Sequence, residues 1–81
     1  MNQREAFRET VALAAARGMP DHGGAGLDLS HLRSMHGRIT DDFSEAKLGR
    51  WLGWAQCALV AANVGVTLDD VKDINRRWSG N

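Results

Sequence analysis

Gly49-Arg50-Trp51-Leu52-Gly53-Trp54-Ala55-Gln56-Cys57-Ala58-Leu59-Val60-Ala61-Ala62 is the stretch whose periodicity decides the fold. Set on a helix at about 100° per residue, Leu48, Leu52, Ala55, Leu59 and Ala62 gather on one side, with Trp51 on the flank. Gly49, Gly53, Cys57 and Ala61 form a second row at four-residue spacing. A glycine inside a helix costs about 1 kcal/mol relative to alanine, so two of them call for an offsetting contact. A ridge of small residues supplies one by letting another backbone approach closely. The neighbour is either another helix of the same chain or the same helix of a second subunit around a two-fold axis. With apolar residues on both faces from Ala55 onward, this helix is expected to be the core, covered on more than one side.

Working outward, Asp42 with Glu45 three positions later fits a capping box and predicts a helix over 43–62, about 30 Å long. Asn63-Val64-Gly65 ends it. Thr67 then caps a last helix over 68–78, with Asp69 and Asp70 at its positive dipole end and Leu68, Val71, Ile74 and Trp78 as its apolar face. Upstream, Asp28 caps a short helix over 29–36 that stops at Gly37 and carries Leu29, Leu32 and Met35 or His36 on one face. The first helix, over 3–17, is closed by Gly18. Its stripe of Phe7, Val11 and Ala14 or Ala15 is narrow, so it is expected to lie on the rest rather than run through it. Between these two helices, 18–27 reads as a flexible glycine-rich loop holding the sole proline, Pro20. Nothing alternates with period two. The fold class is therefore all-α: one domain over 1–81, a small bundle of about four helices with a long central helix, completed by homo-oligomerisation.

The oligomer is expected on grounds of size. An 81-residue chain of 8.9 kDa hides only about 63 % of its surface on folding, which leaves a monomer marginal. Disulfides within the chain are excluded by the single Cys57, which also suits a reducing compartment. Ten basic and ten acidic side chains cancel, which argues against broad wrapping of nucleic acid or of an anionic membrane but leaves room for a local basic pocket. The start of the chain has no apolar stretch behind a basic end, so no signal peptide is expected. The most apolar run, 55–66, is broken by Gln56 and Asn63 and too short to span a bilayer. A soluble, cytoplasmic chain is the expectation.

Candidate sites follow from the tryptophans and the arginines. Trp51 is expected in the core and Trp78 against the last helix's neighbours. Trp54 points about 100° away from the Leu48–Leu59 face, as an oligomer contact or part of a ligand pocket. The candidate oligomer interface is thus Gly49, Gly53, Trp54, Cys57 and Ala61. Lys47 and Arg50 lie near Trp54, while Arg76 and Arg77 end the last helix, where they complement its dipole. Together with Trp54 as a stacking platform, these four are also the makings of an anion or nucleotide pocket. His36 and Arg38, in the connector His36-Gly37-Arg38-Ile39-Thr40, are either a helix stop or further donors. A metal site is not expected: His31 and His36 are five apart, and Asp28 with His31 is only a loose pair. Nor is catalysis or a cofactor. Gly23-Gly24-Ala25-Gly26 follows no strand, and Asp41-Asp42 and Asp69-Asp70 read as helix starts.

His36-Gly37-Arg38-Ile39-Thr40, Gly49-Arg50-Trp51-Leu52-Gly53-Trp54-Ala55-Gln56 and Thr67-Leu68-Asp69-Asp70-Val71-Lys72-Asp73-Ile74-Asn75-Arg76 together resemble small helical accessory proteins of tailed phages and prophages. The resemblance covers roughly the C-terminal half. It brings no established activity, so no functional residue is carried over. What it implies is an accessory viral gene, whose products act stoichiometrically on the host by blocking a host protein or sequestering a signalling nucleotide. The expected function is accordingly a non-enzymatic helical homo-oligomer that binds and inhibits a host macromolecule, host defence included. The alternative is a sponge for a nucleotide second messenger held in intersubunit pockets. A DNA-binding regulator is weaker, because the last helix starts with Asp69 and Asp70 and the net charge is zero.

Overall fold

In a computed structural model that describes residues 1–22 and 27–80, the chain forms four helices: α1 (Gln3–Ala16), α2 (Leu29–Gly37), α3 (Glu45–Ala61) and α4 (Leu68–Arg77). No strand occurs among the described residues. Of the glycine-rich loop expected over 18–27, residues 23–26 lie outside the described residues.

α1 begins where the Asn2 side chain accepts the Glu5 N–H at 3.1 Å. It ends at Gly18, whose φ of 77° lets the Met19 N–H reach back to the Ala14 carbonyl at 3.0 Å. The expectation that α1 lies on the surface of the bundle is overturned: α2, α3 and α4 each pack against it. Its buried stripe is Ala6, Phe7, Thr10 and Ala14, so that Phe7 and Ala14 stand where expected, whereas Val11 gives way to Ala6 and Thr10. Two alanines let neighbouring helices come close, and the Thr10 hydroxyl donates to the Ala6 carbonyl at 2.8 Å, so it is buried without an orphaned donor.

α2 starts as expected, with the Asp28 carboxylate accepting the His31 N–H at 2.8 Å, and buries Leu29, Leu32 and Met35. The start of α3 is corrected. Its cap is Ser44, whose hydroxyl accepts the Lys47 N–H at 3.0 Å, so the helix opens at Glu45 and is about 25 Å long. Asp42 is engaged elsewhere. It accepts the Thr40 hydroxyl in a turn closed by the Phe43 N–H on the Thr40 carbonyl at 3.1 Å. That hydroxyl, first, holds the Asp42 carboxyl below the ordinary carboxylate range.

The capping box occurs instead at α4. There the Thr67 hydroxyl accepts the Asp70 N–H at 3.2 Å, and the Asp70 carboxylate accepts the Thr67 N–H at 2.8 Å. α3 and α4 are joined by a turn with Asn63 and Gly65 at positive φ, and Arg17 ties it to α1 by donating to the Gly65 carbonyl at 3.1 Å. Val71 and Ile74 of α4 are buried and Trp78 is half-buried, but Leu68 is not part of the inner face: it is 59 % exposed. The whole chain exposes 4794 Å², what a compact chain of 8.9 kDa is expected to show, about 4,800 Å². No described helix is long and apolar enough to cross a membrane.

Candidate functional site: the outer face of α3

α3 turns Leu52, Ala55 and Leu59 inward, so helical geometry sends Lys47, Arg50, Gly53, Trp54, Cys57 and Ala61 to the opposite arc, where all six are exposed. The row of small residues is split. At Gly49 an added methyl lies 2.8 Å from the Gln3 Oε1 atom, and the Gln3 amide donates to the Glu45 carbonyl at 3.0 Å. The start of α1 therefore fills the first place in the row. At Gly53 an added methyl meets nothing within 4 Å. From there on the rest of the described chain leaves the row uncovered, so no other helix of the same chain fills it.

Beside this open part, α3 and α4 frame a groove of about 400 Å³ lined by Gly53, Gln56, Cys57, Val60, Ala61, Leu68 and Val71. None of these side chains is charged. Gln56 is only 6 % exposed. Its amide donates to the Thr10 hydroxyl at 3.2 Å and to the Asn75 side chain at 2.9 Å, and its carbonyl oxygen accepts from Asn75 at 3.2 Å. Its polar atoms are satisfied inside, which leaves the groove wall apolar.

No family model, no curated protein and no solved structure matches the chain. What the face can do rests on its side chains. Trp54 is 40 % exposed and is held from α2 by the His31 ring, edge-on at 5.2 Å. Arg50, just over one turn earlier, makes no ion pair among the described residues. Lys47 is engaged: its ammonium lies 4.2 Å from the Phe43 ring centre and 5.6 Å from that of Trp51, two rings standing nearly perpendicular at 5.0 Å. Trp51 is thus half-buried on the flank of the core.

The remaining candidates lie elsewhere. His36 is half-buried and stacks on Phe7 at 5.8 Å, and Arg38 is exposed at the end of α2. Arg76 pairs with Asp73 on its own helix. Arg77 donates to Glu9 of α1 at 2.9 Å, and the same carboxylate accepts the Trp78 indole N–H at 3.1 Å. A second cavity of about 440 Å³ between α1 and α4 includes Glu9, Asp70 and Asp73 against Arg17 and Arg77. With more carboxylates than guanidiniums it is poorly suited to an anion. The basic residues thus divide among the end of α2, the outer face of α3 and the end of α4.

Among the described residues no group of three His, Cys, Asp or Glu side chains comes together as a metal site does. Thr10, Gln56 and Asn75 organise the interior behind the face, Glu9 ties the end of α4 to α1, and sequence reasoning missed all four in these roles. The one available signal was Gln56, a polar residue within the otherwise apolar run 51–62.

Proposed function

We propose that this is a non-enzymatic accessory protein that acts stoichiometrically: a helical homo-oligomer that binds and inhibits a host macromolecule through the ridge Lys47, Arg50 and Trp54. The observation that carries the reading is Trp54, 40 % exposed yet held by the edge of His31, with Arg50, which makes no ion pair among the described residues, just over one turn earlier. Tryptophan and arginine are the residues that most often dominate interface energies, and a side chain fixed in advance loses little entropy on binding. The resemblance to phage accessory proteins supplies the setting, the host cytoplasm, with components of host defence among the targets.

The nucleotide-sponge reading draws on the same Arg50 and Trp54. It is weakened because Arg76 and Arg77 already have carboxylate partners in Asp73 and Glu9. The test is capture from host lysate with the wild type and with Trp54→Ala, followed by titration of the purified partner. Loss of a hot-spot tryptophan is expected to weaken binding about 30-fold, corresponding to about 2 kcal/mol, at a fixed molar ratio. Thermal stabilisation by a cyclic di- or trinucleotide that disappears in Arg50→Ala would overturn the reading in favour of the sponge.

A further inference from the structure

We infer that α3 is itself the ligand: it docks in an apolar groove of a partner protein, with Trp54 in a pocket of that groove and a carboxylate of the partner on Arg50. The inference rests on the reading above that a host macromolecule meets this ridge, and names the chemistry by which it does so. It does not depend on the oligomer.

Set at about 100° per residue, Arg50, Trp54, Cys57 and Ala61 fall within roughly 60° of one another, along one meridian of α3 about 16 Å long. All four are exposed. Their spacing repeats every three or four residues, as in helices that offer a row of anchors to a groove. The meridian is bulky at Arg50 and Trp54 and narrow at Cys57 and Ala61, so the walls of a groove can close nearer to the backbone at its end. Trp54 is the anchor. It is 40 % exposed and its ring is held by the edge of His31 at 5.2 Å, which leaves it less freedom to lose on binding.

Shape selects a protein over a small molecule. Small-molecule sites are concave and bury most of the ligand's surface. The cavity between α1 and α4 touches nothing of this meridian, and the one between α3 and α4 reaches Cys57 and Ala61 but neither Trp54 nor Arg50. The two large side chains therefore stand on a ridge. The partner must supply the concave surface.

Charge fixes which way the partner's groove runs. Lys47 and Arg50, the cations of α3, lie in its first half, and no charged residue occurs anywhere in 51–68. Lys47 is engaged by the Phe43 and Trp51 rings, whereas Arg50 makes no ion pair among the described residues. A guanidinium matches a carboxylate in a paired, two-bond geometry. The partner's groove is accordingly acidic at the end that takes Arg50 and uncharged along the rest. A second copy does not complement this face. A two-fold axis through it sets meridian against meridian, and no carboxylate lies on the meridian to meet Arg50.

Titration of the partner protein, purified after capture, with variants of the full chain tests this, helical circular dichroism verifying that each variant is folded. Ala61→Arg and Arg50→Glu should each weaken binding about tenfold, while Lys72→Glu, exposed on α4, should leave it unchanged. Added salt should weaken the wild-type complex and strengthen that of Arg50→Glu, where like charges then meet. Alkylation of Cys57 by N-ethylmaleimide should slow about tenfold in the complex, as the groove covers it. If Trp54→Ala abolishes binding while Ala61→Arg, Arg50→Glu and the alkylation rate show no effect, the inference is overturned and the host-binding reading stands. Slowed alkylation of Cys57 in the protein alone at high concentration, or with a cyclic nucleotide, also overturns it. A partner indifferent to Trp54→Ala, or no partner at all, removes the host-binding reading and the inference with it.

Discussion

Thr67 and Asp70 close the start of α4 reciprocally, each side chain accepting the other residue's backbone N–H. Thr67→Ala removes one of these bonds and is expected to cost about 1 kcal/mol, lowering the melting temperature by about 4–8 °C. Asp70 adds a pH dependence. Its carboxyl is held below the ordinary range, chiefly by the Thr67 N–H, so folding favours the ionised form. That contribution is fully present above the unfolded carboxyl value, about 3.9, and is lost as pH falls through the lower folded value. Urea midpoints followed downward from about pH 6 should therefore drop more steeply in the wild type than in Asp70→Asn. Equal slopes would show that the box carries no such linkage. Residues of this kind were readable: Asn63-Val64-Gly65 followed by Thr67 and two aspartates announces a helix start. Gln56 was not, because its partners Thr10 and Asn75 are 46 and 19 residues away and no local pattern reaches them. Asp42 shows the opposite failure. It satisfies the capping template, yet a hydroxyl two residues earlier holds its carboxylate, and the cap passes to Ser44.

The helices themselves were legible within a few residues because each carries an apolar stripe at helical spacing and a polar cap or glycine at its ends. Which helix neighbours which was not, since periodicity identifies a face and says nothing of what covers it. α1 illustrates this. Its inner face is built from Ala6, Thr10 and Ala14 around Phe7; Phe7 and Ala14 registered as a narrow stripe, Ala6 and Thr10 did not, and the small size of these residues lets three helices close on it. The row Gly49, Gly53, Cys57 and Ala61 was likewise visible as a row, but its division into a covered and an open part depends on where Gln3 falls. The division is measurable. Gly53→Ala should stabilise the monomer by about 1 kcal/mol, the full helix-propensity gain, because the added methyl meets nothing. Gly49→Ala should gain far less, because the methyl pushes the Gln3 amide off the Glu45 carbonyl. Urea unfolding at a concentration low enough to suppress self-association separates the two. Equal gains would mean that α1 does not constrain Gly49.

At the scale of the whole molecule, five of the ten basic side chains pair with carboxylates among the described residues. Arg4 with Asp41, Arg8 with Glu5, Arg33 with Asp21, Arg76 with Asp73 and Arg77 with Glu9 match cations to carboxylates across the surface. Most such exposed pairs are worth about 0–1 kcal/mol each, so they shape the surface potential more than they hold the fold. Glu9 is the exception to argue for. It brings the end of α4 onto α1 through both Arg77 and the Trp78 indole, close to where the Asn2 N–H donates to the Trp78 carbonyl at 2.7 Å and binds the two chain ends together. From the sequence, Arg77 read as a dipole partner and Trp78 as packing. Neither reading names a carboxylate 68 or 69 residues away. If Glu9 is a joint rather than a surface charge, Glu9→Ala should cost about 1–2 kcal/mol, above the range of an exposed pair. Trp78→Phe keeps most of the packing and removes only the indole donor, so its cost should shrink markedly once Glu9 is absent. A double-mutant cycle of the two, followed by thermal unfolding, should give a coupling of about 0.5–1.5 kcal/mol. The part due to the neutral indole should persist in high salt, whereas the Arg77 part is screened. Strict additivity would reduce Glu9 to one more surface charge and leave the chain ends joined only by the Asn2–Trp78 backbone bond.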